Sequence, residues 1–320
     1  MKGEVDIMDK SNDALRQESD RPGGMFQRER SVSGPTMVVG VDGSEYSRRA
    51  LEWASDEAKR RGAILHIVCA GYGTWQTTPA WYDATSDEQP AQAIVDDAVG
   101  LVATRHPSVI TRGESRVWPA ALALVEYSRS NDLLVVGARG EGGFVGLLVG
   151  SVSDECIRHA DCPVVVVHAE PEGTPTPAPD DRIVVGIDGS PGSRQALRWA
   201  LWEARSMSSS VEAVFAWHYP RAYAVFVGPV EGYAAAQREI VAEATALAEE
   251  WEPDVPFKAI ARVGPVVPSL LEESAKARLL VVGARGHGTF AELILGSVAA
   301  QCAHHATCPV AVVRPFAVSA

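Results

Sequence analysis

The sequence predicts an α/β protein of two tandem doubly wound domains, each a five-stranded parallel sheet with helices on both faces. Two observations predict this class. Short apolar runs alternate with segments of helical periodicity, which is typical of βα units. The same motifs also occur twice at a constant offset of 146 residues, as between Val38 and Val184 or Gly150 and Gly296. In a chain of 320 residues, this repeat indicates one fold used twice.

The elements of the first copy follow from its pattern in order. Met37–Asp42 is a run rich in β-branched residues, as expected for a strand buried on both faces. Ser44 begins a helix that continues to Arg61, with apolar residues at helical spacing. The later elements are predicted as strand Ala63–Ala70, helix Asp87–Arg105, strand Val109–Val117, helix Ala120–Ser130, strand Leu133–Gly137, helix Ser151–His159 and strand Val164–His168. The second copy repeats this order from Ile183 to Arg314.

The segments outside the repeat set the predicted domain limits. Residues 1–34 are polar and have no repeat counterpart, so we expect a disordered tail ahead of a first domain at 35–168. Residues 169–181 are rich in proline and predict an extended linker, followed by a second domain at 182–316. The aromatic residues between 72 and 82 either cover the ligand site or pack between the domains.

Composition excludes several classes of function. The 29 basic and 41 acidic side chains give a net charge of −12, which argues against nucleic-acid binding and against an anionic membrane surface. No apolar run is long enough to cross a bilayer, and the N-terminus lacks an apolar leader segment. The odd count of five cysteines is typical of a reducing compartment, so we expect a cytoplasmic protein with cysteines packed in its core.

A glycine-rich segment occurs in both copies and carries the predicted chemistry. Gly137-Ala138-Arg139-Gly140 is followed after nine residues by Gly150-Ser151. We expect the first glycine to let a ligand approach the end of a strand, and the second to let the loop present backbone N–H groups. The third precedes a helix whose N-terminus suits a phosphate. The serine hydroxyl either caps that helix or contacts the phosphate. The second copy has Gly283, Arg285, Gly286, Gly296 and Ser297 at these positions.

Two further residue types are placed near the same edge of the sheet. Asp42 and Asp188 end the first strands, where a carboxylate can accept hydrogen bonds from ribose hydroxyls or help to hold Mg²⁺. Arg139 and Arg285 either reach a phosphate or face solvent. Neither a Walker A pattern nor a dinucleotide G-x-G-x-x-G fingerprint occurs, which argues against those two classes of nucleotide-binding protein.

These motifs together resemble the universal stress protein family in tandem form. The resemblance rests on V-G-[VI]-D-G-S, G-2x-G-9x-G-S and C-P-V in each copy. It implies strand order 3-2-1-4-5, pairing of fifth strands between domains, and bound ATP in members with this glycine pattern. It also implies that Ala70 and Ala216 pack near the adenine. The implied binding residues are Gly40, Val41, Asp42, Ala70, Gly137, Arg139, Gly140, Gly150, Ser151 and Val152, with Gly186, Ile187, Asp188, Ala216, Gly283, Arg285, Gly286, Gly296, Ser297 and Val298 in the second copy.

The expected function is therefore an ATP-binding regulatory protein of the stress response, whose nucleotide occupancy biases its conformation or its binding to a protein partner. We expect the two domains to pack as a pseudo-dimer and the chain to form a homodimer. The alternatives are a slow Mg²⁺-dependent ATPase or ATP-using enzyme, and an interaction module with non-functional pockets. No catalytic residue is predicted, since no general base or nucleophile accompanies the repeated loop. Trp118 replaces the glycine that the family usually has there, whereas Gly264 retains it.

Overall fold

A computed structural model describes residues 34–71, 85–140, 150–168, 179–217, 231–286 and 294–314. Most of the predicted tail and linker, and the aromatic segment 72–82, lie outside these residues.

The helices and strands alternate in the predicted order in both halves. The first domain contains β1 (Thr36–Gly40), α1 (Glu45–Arg61), β2 (Ile64–Gly71), α2 (Thr85–Arg105), β3 (Thr111–Val117), α3 (Ala120–Ser128), β4 (Leu133–Gly137), α4 (Ser151–His159) and β5 (Val164–Val167). The second contains β6 (Arg182–Gly186), α5 (Pro191–Met207), β7 (Ser210–Trp217), α6 (Glu231–Trp251), β8 (Phe257–Val263), α7 (Val266–Ser274), β9 (Leu279–Gly283), α8 (Ser297–His305) and β10 (Val310–Val313).

The strands form one sheet of ten. Its order is β3-β2-β1-β4-β5-β10-β9-β6-β7-β8, so each half has the expected order 3-2-1-4-5. Pairing is parallel within each half. The two halves meet through antiparallel pairing of β5 with β10, in which Val165 lies opposite Ala311. The fifth strands therefore join the two copies as the resemblance implied.

The first helix of each domain begins and ends at residues suited to those positions. The Ser44 side chain accepts a hydrogen bond from the Ser47 N–H and so caps α1, and Ser190 does the same for α5. Gly62 ends α1 in the left-handed conformation at φ 61°, which glycine adopts without strain. Ser208 adopts that conformation after α5 at φ 52°.

Four predicted boundaries were wrong by two residues, one of them the start of α2, which lies at Thr85 and not at Asp87. The first strand ends at Gly40 and not at Asp42, because the Asp42 N–H turns to donate to Ser47 Oγ (3.2 Å). Helix α3 ends at Ser128, where the following chain turns back and the Ser130 N–H bonds the Tyr127 carbonyl. Strand β3 begins at Thr111 and not at Val109, whose N–H bonds the His106 carbonyl in a turn.

The sheet separates two apolar layers, and this arrangement positions the site. Helices α1, α2, α5 and α6 cover one face, and α3, α4, α7 and α8 cover the other. The central strands are buried on both faces, as shown by Val38 and Val39, which point to opposite layers with no exposure. Because strand order reverses between β1 and β4, and between β6 and β9, a crevice is expected at the carboxyl ends of each pair.

Candidate functional site

A fixed acidic turn follows the first strand of each domain. Asp42 Oδ1 accepts hydrogen bonds from the Ser44 N–H (3.0 Å) and Ser44 Oγ (2.6 Å). Asp188 Oδ1 accepts one from the Ser190 N–H (2.9 Å). The intervening Gly43 and Gly189 have φ of 84° and 79°, a region that favours glycine. These turns therefore hold both partly buried carboxylates in one orientation at the sheet edge.

The second glycine of the repeated loop lies directly against the aspartate. A Cβ on Gly140 would approach Asp42 Oδ2 to 2.5 Å, and one on Gly286 would approach Asp188 Oδ2 to 2.3 Å. Real Cβ atoms do not come this close, so only glycine brings the loop backbone beside the carboxylate without displacing it. The structure thus brings together two residue types that sequence analysis placed in one site, and does so in both copies.

The first glycine has a packing role that sequence analysis missed. A Cβ on Gly137 would lie 2.7 Å from the Tyr46 backbone carbon, and one on Gly283 would lie 2.7 Å from the Gly192 carbonyl oxygen. The end of β4 or β9 is therefore in close contact with the first turn of α1 or α5. Glycine is needed here for helix packing, whether or not a ligand is bound.

The third glycine is the N-cap of the helix that follows the loop. Gly150 precedes α4 and Gly296 precedes α8, and neither helix has a side-chain capping hydrogen bond. Ser151 and Ser297 are the first helical residues and are exposed, so the capping alternative for these serines was wrong. The first turn of each helix thus presents backbone N–H groups, with the positive end of the helix dipole, beside the glycine loop.

Backbone hydrogen bonds hold these helix starts against the loop. The Gly150 N–H donates to the Ala138 carbonyl (2.7 Å), and the Gly296 N–H donates to the Ala284 carbonyl (2.7 Å). Ser153 Oγ also contacts the Ala138 carbonyl oxygen at 3.1 Å in the first domain. The geometry of the loop and helix start is therefore set by the protein itself.

The other predicted residues lie around this edge with different exposures. Val41 and Ile187 are buried at 8% and 7% exposure. Ala216 is buried at the end of β7, whereas Ala70 at the end of β2 is half-buried. Val152 and Val298 are half-buried in the first turns of α4 and α8. Gly40 and Gly186 pack under leucines of α3 and α7 respectively, so their lack of a side chain makes room for a helix.

The two sites differ at their arginines and rims. The Arg139 guanidinium carbon lies 5.6 Å from the centroid of the Tyr46 ring, at a distance where a cation–π contact is favourable. The equivalent of Tyr46 is Gly192, where a Cβ would lie 2.2 Å from the Arg285 carbonyl oxygen, and the Arg285 side chain is exposed. At the rim of the first site, Trp118 is 54% exposed.

The described residues offer little else for catalysis or metal binding. They contain no group of three or more His, Cys, Asp or Glu side chains that would hold a metal ion. The five free cysteines are buried, and burial raises the pKa of Cys156 and Cys302 to about 12 and that of Cys308 to about 11. These three thiols are therefore protonated at neutral pH. No helix among the described residues is long and apolar enough to span a membrane.

This fold and these paired sites define a tandem doubly wound α/β protein with a candidate anion-binding crevice in each half. The universal stress protein family matches residues 35–168 and 181–314. A universal stress protein of Mycolicibacterium smegmatis is 35% identical over 297 residues, which cover 87% of this chain and 97% of the relative. Universal stress protein Rv2005c of Mycobacterium tuberculosis is 34% identical, with coverage of 87% and 96%. The chain belongs to the universal stress protein family, which gives it a role in the stress response.

Solved structures support the same fold. A universal stress protein from Archaeoglobus fulgidus aligns with a TM-score of 0.63 at 17% identity, covering 87% of this chain and 98% of its own. A functionally unknown protein, PA1789 from Pseudomonas aeruginosa, aligns with a TM-score of 0.58 at 16% identity, with coverage of 89% and 94%. At these identities the likeness concerns the fold alone.

Proposed function

We propose that this member of the family is an ATP-binding regulatory protein with one nucleotide site in each domain. Nucleotide occupancy then biases the conformation of the chain or its affinity for a protein partner, because a ligand shifts an equilibrium only through differential affinity for its states. The observation that carries the proposal occurs in both domains. A carboxylate lies beside a glycine at which any Cβ would collide with that carboxylate, and a helix N-terminus without a side-chain cap follows the same loop.

The residues fit the parts of ATP by their chemistry. The N–H groups at Ser151, Val152, Ser297 and Val298 are donors suited to phosphate oxygens, and the exposed serine hydroxyls add a further polar group. Asp42 and Asp188 suit ribose hydroxyls or Mg²⁺. Asp42 and Asp188 each place a carboxylate beside the described loop of one domain, and Mg²⁺ is commonly held by one or two carboxylates together with substrate phosphates. Ala70 and Ala216 leave space beside the second strands for a base.

The proposal extends to location and assembly. Five free, buried cysteines are consistent with a reducing cytoplasm. A homodimer would use a surface other than the fifth strands, because β5 and β10 already pair with each other within one chain.

Titration calorimetry with ATP and Mg²⁺ tests the proposal. We expect two molecules of ATP per wild-type chain, one for Gly140→Glu or Gly286→Glu, and none for the double variant, because the new carboxylate enters the space beside Asp42 or Asp188. Gly100→Glu is the matched control, since Gly100 is exposed on α2 with no neighbouring atom within 4 Å of a Cβ. A wild-type chain that binds no ATP, or a folded double variant that binds as wild type does, would contradict the proposal.

A further inference from the structure

A buried ionic cluster joins the two domains where α1 approaches α5. Glu57 and Glu203 are repeat equivalents, and both carboxylate side chains have 0% exposure. Arg61 lies between them with 6% of its side chain exposed. The antiparallel pairing of β5 with β10 relates the two halves by an approximate twofold axis, so equivalent faces of α1 and α5 meet.

One guanidinium serves both carboxylates. Arg61 donates from Nε to Glu57 and from Nη2 to Glu203, and its guanidinium carbon lies 4.5 Å from the centroid of the Trp202 ring. Arg60 donates a second set of hydrogen bonds to Glu57 alone. Glu57 therefore has two cationic partners, whereas Glu203 shares one.

The two positions of the second domain that correspond to Arg60 and Arg61 carry no cation. By the repeat offset, Met207 stands where the first domain has Arg61, and Ser206 stands where it has Arg60. Met207 is buried, and Ser206 Oγ donates to the Glu203 carbonyl. The two buried carboxyl groups therefore differ in the number of cations that neutralise them. Ionising both of them destabilises the folded protein, because a buried charge without a cation of its own is poorly solvated.

A proton on Glu203 removes the negative charge that is less well neutralised. Glu57 and Glu203 both accept hydrogen bonds from the one guanidinium of Arg61, and the buried Glu203 Oε1 makes no hydrogen bond to the described residues. A proton on one carboxyl group supplies the donor that a hydrogen bond to the other carboxylate requires. Burial raises the pKa of Glu203 to about 8, with Arg61 opposing this shift and the charge of Glu57 adding to it. Burial also acts on Glu57, but Arg61 and Arg60 outweigh it and lower its pKa to about 2.

We propose that a proton held between Glu57 and Glu203 is a pH-sensitive latch between the domains: its loss as the pH rises leaves Glu203 as a buried carboxylate that shares the guanidinium of Arg61 with Glu57, and this loosens the contact between α1 and α5. Among the described residues, the charged groups that act most strongly on Glu203 are Glu57, Arg60 and Arg61, all on α1. Two carboxyl groups that share one proton because both cannot ionise together are a known device in proteins.

The latch is independent of the nucleotide sites. Glu57 is 12 residues from the first residue of α1, which is about 18 Å along the helix axis at 1.5 Å per residue. Asp42 lies before the opposite end of that helix. A failure of ATP binding therefore leaves this proposal standing, and a failure of the latch leaves the nucleotide proposal standing.

Hydrogen exchange measured by mass spectrometry tests the latch. The closed contact holds the proton, and opening releases it. The equilibrium constant for opening of β5 and β10 should therefore rise with pH in wild type, by about tenfold for each pH unit between about pH 5 and pH 8. In Glu203→Gln this rise should be absent. Glutamine keeps a donor towards Glu57 and cannot ionise. Glu155→Gln, at an exposed carboxyl on α4, is the control and should behave as wild type. Identical pH dependence in wild type and Glu203→Gln would overturn the proposal.

Infrared spectroscopy gives a second readout that does not depend on stability. Folded wild type should show the carbonyl band of a protonated carboxyl at pH 7, which disappears with a midpoint near pH 8. Glu57→Gln removes the neighbouring negative charge, so the midpoint should move to lower pH. Absence of the band from folded wild type at pH 7, or an unchanged midpoint in Glu57→Gln, would overturn the proposal even if Glu203→Gln does not fold.

Discussion

His168 and Arg314 are repeat equivalents, and each crosses to the other domain to contact carbonyl groups in, or just after, the last turn of that domain's final helix. The His168 ring nitrogens lie 2.9 Å from the Ala303 carbonyl oxygen and 3.1 Å from that of Cys308. Arg314 Nη2 donates to the Ile157 carbonyl (2.8 Å) and to that of Arg158. Hydrogen-bonding side chains suit the carbonyl end of a helix, and Arg314 also places a positive charge there, so the arrangement is a reciprocal cap.

The reciprocal cap ties each candidate site to the opposite domain. Helices α4 and α8 carry the candidate phosphate-binding residues at their N-termini and are held by Arg314 and His168 at their C-terminal ends. His304 on α8 also lies 3.7 Å from Asp154 in the first turn of α4. Within the part of the chain that the structure describes, the domain interface therefore includes the fifth strands, this pair of helices and the latch between α1 and α5.

Arg314→Ala should destabilise the protein, because it leaves the Ile157 and Arg158 carbonyls without their charged donor. Hydrogen bonds to charged groups contribute about 1.5–3 kcal/mol, so we expect a decrease of that size in the free energy of unfolding measured with urea. Arg129→Ala is the control, since Arg129 makes a surface ion pair with Asp161 at 67% exposure and should change stability by less than about 1 kcal/mol. Equal effects of the two substitutions would refute the capping role.

The His168 cap should make stability depend on pH. Burial lowers the pKa of His168, the carbonyls of Ala303 and Cys308 oppose this shift, and Arg139 and His304 add to it. Below the ordinary histidine pKa of about 6.5, the unfolded chain therefore takes up a proton that the folded chain does not, and stability falls as the pH falls.

Urea unfolding between pH 7 and pH 5 measures this effect. Wild type should lose more stability over that range than His168→Gln, in which the titrating group is absent. His159→Gln is the matched control, because His159 is an exposed residue of the last turn of α4 that pairs with Glu155. The explanation fails if His168→Gln and wild type have the same slope.

Most of the fold could be predicted from the sequence, because each strand and helix pattern occurs in both copies and each prediction therefore rests on two occurrences. Strand β4 and helix α4 were predicted with the bounds that the structure has, since an apolar run and a glycine–serine pair mark them sharply. The end of β1 was not, because the turn at Asp42 depends on a hydrogen bond that its backbone N–H donates to the side chain of Ser47, five positions later. Apolar patterning alone does not report such a contact.

Within the candidate site, composition and spacing indicated the glycines but not all of their roles. Gly137 was interpreted as room for a ligand, whereas its closest neighbour is the backbone of Tyr46, 91 positions earlier in the chain. The latch could not be predicted from the sequence either. The repeat offset identifies Glu57 and Glu203 as equivalents, but only the pairing of β5 with β10 brings both of them to Arg61.

Gly137→Ala separates the packing role of this glycine from a role in ligand binding. The new Cβ would lie 2.7 Å from the Tyr46 backbone carbon and 2.8 Å from its carbonyl oxygen, and a backbone neighbour has little freedom to move aside. Overpacking of this kind costs about 1–3 kcal/mol, so the free energy of unfolding should fall by that amount without any nucleotide present. Gly283→Ala should behave in the same way, because its Cβ would meet the Gly192 backbone.

Gly100→Ala is the control with the opposite expected sign. Gly100 lies within α2, is exposed, and has no atom within 4 Å of a Cβ. Alanine should therefore stabilise the helix there by about 0.5–1 kcal/mol, through its higher helix propensity. If Gly137→Ala proved as stable as Gly100→Ala in the absence of nucleotide, close contact with α1 would not explain this glycine, and ligand binding would become the better reason for it.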